Sequence, residues 1–127
     1  MIFSSLYIAE TEKMGKGVYT SSAIEANTII EISPVVVMTA EERKLLDQTR
    51  LYDYIFEWQT ELNKCCMALG YIAVYNHAYE SNCEYEMDYE TELISIKTMR
   101  DIEAGEELFI NYNGNWNDAT PIWFAAE

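Results

Sequence analysis

A mainly β, compact α+β fold with one main helix is predicted by three features of the chain. Short β-branched or alternating segments bounded by turn residues recur along it, as in "NTIIEISPVVVM" and "CEYEMDYETELISIKTMR". Only "TAEERKLLDQTRLYDYIF" shifts to a helical period. No repeat, low-complexity run or linker divides the 127 residues, so a single domain over 1–127 is expected.

The elements follow in chain order. "IFSSLYIAE" reads as a strand, "TEKMGKG" as the turn after it, and "VYTSSAI" as a second strand. "NTIIEISPVVVM" reads as two short strands interrupted at Pro34, because proline lacks the N–H that a ladder needs. Thr39 followed by Glu42 is a capping-box pattern, and Leu45, Leu46, Leu51 and Ile55 roughly keep helical spacing, which predicts a helix over about 40 to 53. "KCCMALGYIAV" is apolar and reads as buried, whether strand or short helix. "CEYEMDYETELISIKTMR" reads as a hairpin turning near Glu90–Glu92, and "DIEAGEELFINY" as a turn at Ala104–Gly105 leading into a strand. The tail is polar, then presents Trp116, Trp123 and Phe124.

Composition narrows the functions. With 22 acidic residues against 8 basic ones the net charge is −14, a field that repels nucleic-acid phosphates and draws in a lysine-rich partner. Cys65, Cys66 and Cys83 are odd in number and form no CxxC, so neither a zinc site nor a disulfide framework is expected, and a reducing compartment fits best. No signal-like start or long apolar run occurs, so a soluble intracellular protein is expected, cytoplasmic or nuclear (host-nuclear for a viral source).

Three short stretches hold the chemistry-bearing residues. "YNHAYESNC" at 75–83 contains the only histidine, His77. Alone, His77 reads as a neutral imidazole with one hydrogen bond under an aromatic ring; a dyad with Cys83 has no support beyond proximity in sequence, and one histidine makes a weak metal site. "GKG" at 15–17 reads as a tight turn, although glycines also admit a ligand close to the backbone. "GEELFINY" at 105–112 reads as an acidic turn entering a strand. Ten tyrosines and three tryptophans suit sites that hold cations by ring faces, while core packing explains most of them.

Taken together and in this order, "GKGVYTSSAIEANTIIEI", "NHAYESNC" and "GEELFINY" resemble the SET-domain family of lysine methyltransferases. "MALGYIAVYNHAYESNC" is also similar to the glycine-to-Asn-His approach of small SET proteins. The likeness covers about residues 3–113, leaving 114–127 as a tail that closes the site. It implies small curved sheets of β-clip type around a knot-like C-terminal core that brings "NHAYESNC" beside "GEELFINY". It implies S-adenosylmethionine (SAM) as cofactor and S-adenosylhomocysteine (SAH) as product; with the cysteines as they stand, no metal is expected. Met14, Gly15, Lys16 and Gly17 would meet the methionine portion of SAM through their backbone. Asn76 and His77 would contact its amino group and adenine, and Tyr112 would be the catalytic tyrosine. Tyr52 is a further cofactor candidate, and Trp123 one for stacking on adenine. Tyr54, Tyr75 and Ile110 are candidates for the substrate channel.

The chemistry agrees with that resemblance. Two cations in one apolar channel depress the pKa of a substrate lysine, so no strong general base is needed. In-line attack then depends on positioning. The chain departs from common relatives at Ala78 and Ser81, which replace a hydroxyl and a proline, and in lacking the zinc-binding cysteine cluster. Ile110, where relatives often carry an aromatic, hints at room for more than one methyl. The expected substrate is a basic lysine-containing protein, with a histone tail as one instance, and so small a unit is a candidate for homodimerisation. A SET-like interaction module without catalysis is the alternative; the joint presence of Asn76, His77 and Tyr112 argues against it.

Overall fold

The computed structural model describes residues 1–114 and 116–119. Among the described residues nine strands and one α-helix follow one another: β1 (Leu6–Glu10), β2 (Lys16–Thr20), β3 (Ile29–Met38), α1 (Ala40–Leu46), β4 (Ile55–Trp58), β5 (Lys64–Ala68), β6 (Asn76–His77), β7 (Cys83–Asp88), β8 (Leu93–Thr98) and β9 (Glu107–Ile110). Single 3₁₀ turns occupy Arg50–Asp53, Thr60–Leu62 and Ile72–Val74. The strands form a four-stranded sheet in the order β1-β2-β9-β6 and a five-stranded sheet in the order β4-β5-β3-β8-β7. The mainly β reading with one helix therefore holds.

Two elements differ from the expectation. Pro34 does not interrupt a strand: β3 runs unbroken for 10 residues. Its first half pairs with β8 as far as Pro34 opposite Leu93, and its second half pairs with β5 from Val35 opposite Ala68. Pro34 is exposed and stands at this handover between partners, where a missing N–H interrupts neither ladder. Its carbonyl is used, accepting from Leu69 N–H at 3.0 Å, an ordinary amide hydrogen bond.

The helix is the second difference. Its start is as expected, since the Thr39 hydroxyl accepts from Glu42 N–H and the Glu42 carboxylate accepts from Thr39 N–H. It stops at Leu46, and Thr49 caps a separate 3₁₀ turn by accepting from Leu51 N–H. No residue of α1 is buried and Leu45 is exposed, so no apolar face drives the helix on through Asp47, Gln48 and Thr49. The 90–92 hairpin and the Ala104–Gly105 turn stand where expected, with Gly105 at φ 89°.

The core gathers Val18, Ile30, Ile72, Ile94, Ile96, Leu108 and Ile110 around Trp58 and Tyr75, all at most 2% exposed. Cys65, Cys66 and Cys83 are free and buried within it. Burial pushes the thiols of Cys66 and Cys83 up to about 12, so both stay protonated and behave as small hydrophobes. Among the described residues the side chain of Glu31 is fully buried too. Glu31 accepts from the Tyr75 hydroxyl (3.0 Å), the Ser33 hydroxyl (2.7 Å) and Tyr71 N–H (2.8 Å), which replaces the water it gave up.

Candidate active site

The short strand β6 lies parallel to β9, with Asn76 opposite Phe109 and His77 opposite Ile110. Two residues cannot hold such a pairing alone, and Asn82 extends it. Its amide donates to the Glu107 carbonyl (2.8 Å) and its amide oxygen accepts from Phe109 N–H (2.7 Å). Asn111 ties the other end by donating to the carbonyls of Tyr79 (3.0 Å) and Asp118 (2.7 Å). The two asparagines of "NHAYESNC" and "FINY" thus act as pieces of backbone, clamping segments 76–83 and 105–112 side by side.

Tyr112 stands at this junction. Its N–H donates to His77 Nδ1 (2.9 Å) and its hydroxyl donates to the Tyr75 carbonyl (2.8 Å). Because Nδ1 accepts, His77 is neutral with its proton on Nε2, and burial holds its pKa below the usual histidine range. His77 Nε2 is buried with no hydrogen-bond partner among the described residues, while its ring lies edge-on to Tyr79 (4.5 Å) and tilted to Tyr112 (5.0 Å). Burial first, then the neighbouring Tyr54, push the Tyr112 hydroxyl up to about 12.

A cleft of about 140 Å³ opens beside Tyr112, walled by Tyr52, Tyr54, Phe56 and Tyr85. A void of ~10–15 Å³ holds one water, so this cleft admits a side chain. Phe56 packs edge-on against both Tyr85 (5.4 Å) and Tyr112 (6.1 Å), and the Tyr85 hydroxyl donates to the Tyr112 carbonyl (3.0 Å). Arg43 and Glu57 pair at its rim, and Asp53 lines it as well.

The 75–77 segment also meets the glycine turn, through Asn76. Thr11 accepts from Met14 N–H through its hydroxyl (2.8 Å) and donates its own N–H to the Gly15 carbonyl (2.6 Å). Gly15 has φ 69° and nothing within 4 Å of where a Cβ would stand, so its backbone is open to a ligand. Asn76 reaches across β9 to this turn, its amide donating to the Lys16 carbonyl (3.1 Å) and the Glu107 carboxylate (2.8 Å).

The structure thus brings Asn76 to Lys16 and Gly17 of the turn, and Tyr52, Tyr54 and Tyr112 together around the cleft, with His77 following Asn76 on β6 and bonded to Tyr112. Met14 belongs to the turn. The side chains of Tyr75 and Ile110 are fully buried and do not line the cleft; Tyr75 meets Tyr112 through its carbonyl only. Trp123 lies outside the described residues. Phe56, Tyr85 and Glu107 were not singled out from the sequence. Alternation along "CEYEM" does place Tyr85 on the inward face with Cys83 and Met87, but Phe56 was hidden by its place at the end of the helical stretch.

A model of the SET domain matches residues 15–113, and the chain belongs to the SET-domain family. It is 36% identical over 128 aligned residues to the histone-lysine N-methyltransferase of Schizosaccharomyces pombe that is specific for H3 lysine 37, covering 100% of this chain and 82% of that protein. It also superimposes on the crystal structure of a protein from Plasmodium falciparum described as a histone methyltransferase, with a TM-score of 0.68, 29% identity, and 91% and 98% of the two chains covered. The family expected from the three motifs is therefore the family found.

Proposed function

We propose that this chain is a SAM-dependent protein-lysine N-methyltransferase whose substrate is a basic, lysine-containing protein of the histone-tail kind. The single observation that carries the reading is the position of Tyr112. Its hydroxyl is held by the Tyr75 carbonyl and its ring closes an aromatic cleft, in a chain of the SET family. The named activities of the two relatives support the same reading.

The residues fit the cofactor. SAM is positively charged at its sulfonium and at its α-ammonium, and it supplies an electrophilic methyl group. Gly15 presents open backbone, and no described residue donates to Asn76 Oδ1, which leaves an acceptor for an ammonium. The turn 14–17, Asn76 and His77 would hold SAM, with Tyr52 and Trp123 as further contacts.

The chain's own contribution to chemistry is positioning. Tyr52, Tyr54, Phe56 and Tyr85 would exclude water from a lysine stem and offer ring faces to its ammonium. Desolvation and like charge favour loss of the lysine proton. Tyr112 keeps its own proton at neutral pH and cannot act as the base, so its hydroxyl and the Tyr75 carbonyl orient the reacting groups. No helix among the described residues is long and apolar enough to cross a membrane, and the acidic charge is suited to capturing a basic tail in the nucleus or cytoplasm. A homodimer that completes the substrate groove belongs to the same reading.

The test is transfer of a labelled methyl from SAM to histones, with the Tyr112→Phe protein alongside. Label on a lysine that disappears in the variant supports the reading. SAM binding without any transfer to histones or other basic proteins favours an interaction module.

A further inference from the structure

Glu107 is a half-buried carboxylate on β9 for which no described lysine or arginine provides a partner; the ion pairs among the described residues are Arg43–Glu57 and Arg100–Glu106. It stands opposite Tyr19 in the β2–β9 ladder, and its Oε2 accepts from Asn76 Nδ2 at 2.8 Å. It also lies close against the glycine turn, because a Cβ on Gly17 would fall 2.4 Å from the same oxygen and 3.0 Å from Asn76 Nδ2. Any residue but glycine at 17 would push the carboxylate off Asn76.

The orientation of Asn76 follows from its neighbours. The Lys16 carbonyl and the Glu107 carboxylate both only accept, so the amide nitrogen must face them. Both N–H groups of the amide are then used, and Oδ1 is left as an acceptor alone. An acceptor backed by an uncompensated carboxylate selects a cationic donor over a neutral one.

We propose that Glu107 is a positioning residue of the cofactor site: it turns Asn76 Oδ1 outward for the α-ammonium of SAM and supplies the negative charge behind it. This inference rests on the methyltransferase reading. The Tyr19 hydroxyl also interacts with this carboxylate, so the partners of Glu107 are the neutral donors Asn76 and Tyr19, while the first acidic residue of "GEEL", Glu106, is engaged by the cation Arg100 at 3.0 Å.

The test is calorimetry on the full chain with two probes, SAH and its analogue lacking the α-amino group. Wild type is expected to prefer SAH. Glu107→Gln removes the charge at constant shape and should weaken SAH on the order of tenfold, the scale of one hydrogen bond to a charged group, with the deaminated analogue unaffected. Glu107→Asp keeps the charge but withdraws the acceptor from Asn76, and the same selective loss is expected; it serves if the glutamine variant does not fold. Equal loss on both probes would make Glu107 a scaffold for the glycine turn and overturn the proposal, as would no loss on either. If wild type binds neither probe, the cofactor reading itself fails, a result distinct from binding that ignores Glu107.

Discussion

The N–H of Tyr112 donates to His77 Nδ1 at 2.9 Å, so the sole histidine of the chain holds this tyrosine of the aromatic cleft by its backbone. The bond exists only while Nδ1 is unprotonated. Burial lowers the His77 pKa in the folded state, so the unfolded chain takes up this proton first as pH falls. Stability from His77 is therefore complete above the ordinary histidine pKa of about 6.5 and is lost as pH falls below it toward the lower folded value. Melting temperature should drop from pH 7 to pH 5 more steeply in wild type than in His77→Gln, whose side chain does not titrate. Parallel pH profiles would show that His77 does not control this step.

Replacing His77 by alanine leaves the Tyr112 N–H without its acceptor in a buried place. Such an orphan costs about 1–3 kcal/mol, and the 75–77 segment that carries Asn76 loses its anchor. Urea unfolding should show a loss of that size, and calorimetry a weaker affinity for SAM. Unchanged affinity in a folded variant would leave His77 with a structural part only.

Tyr112→Phe removes one hydroxyl and nothing else from the cleft. The rate of transfer should fall on the order of a hundredfold, the scale of a misplaced reacting group, with SAM affinity near that of wild type. The Tyr112 hydroxyl is pushed up to about 12, so a rise in rate between about pH 7 and pH 10 would report the substrate amine. A profile that lost this rise in Tyr112→Phe would instead make the tyrosine the titrating group.

Much of this site was legible because its residues lie in short contiguous motifs. "NHAYESNC" and "GEELFINY" were expected side by side, and the β6–β9 pairing with the Asn82 clamp places them so. What escaped was set by tertiary contact. Phe56 sits on β4, within a stretch whose leucines continue a helical period, and only pairing with β5 makes it a strand. Tyr75 is a channel candidate by sequence, yet its hydroxyl donates to Glu31, 44 residues away in sequence. Pro34 reads as an interruption because it lacks an N–H, and the change of β3 from β8 to β5 at that residue is a tertiary feature that local sequence does not carry.

Gly70 precedes the 3₁₀ turn Ile72–Val74 and has φ 66°. A Cβ there would fall 2.3 Å from Ser33 Oγ and 2.4 Å from Glu31 Oε2, in the middle of the buried carboxylate's hydrogen bonds. Gly70→Ala should destabilise by about 2–4 kcal/mol, from the left-handed backbone and overpacking together. It should also slow transfer, because the carbonyl of Tyr75 is carried by this turn. Urea unfolding checks the first; a stability within about 0.5 kcal/mol of wild type would mean that Glu31 relaxes freely.

The net charge of −14 and the carboxylates Asp53 and Glu57 at the cleft make a last expectation about capture. Surface fields are screened within about 10 Å at 0.1 M salt, and steering of a basic tail is lost with them. Raising salt from about 0.05 to 0.5 M should lower kcat/KM for a lysine-rich peptide severalfold and leave kcat at saturation nearly unchanged, since the reacting groups are enclosed. Glu57 is partly engaged by Arg43, so Asp53→Asn should flatten that salt response more than Glu57→Gln does. A kcat/KM independent of salt would confine the acidity to solubility and place recognition in the aromatic cleft alone.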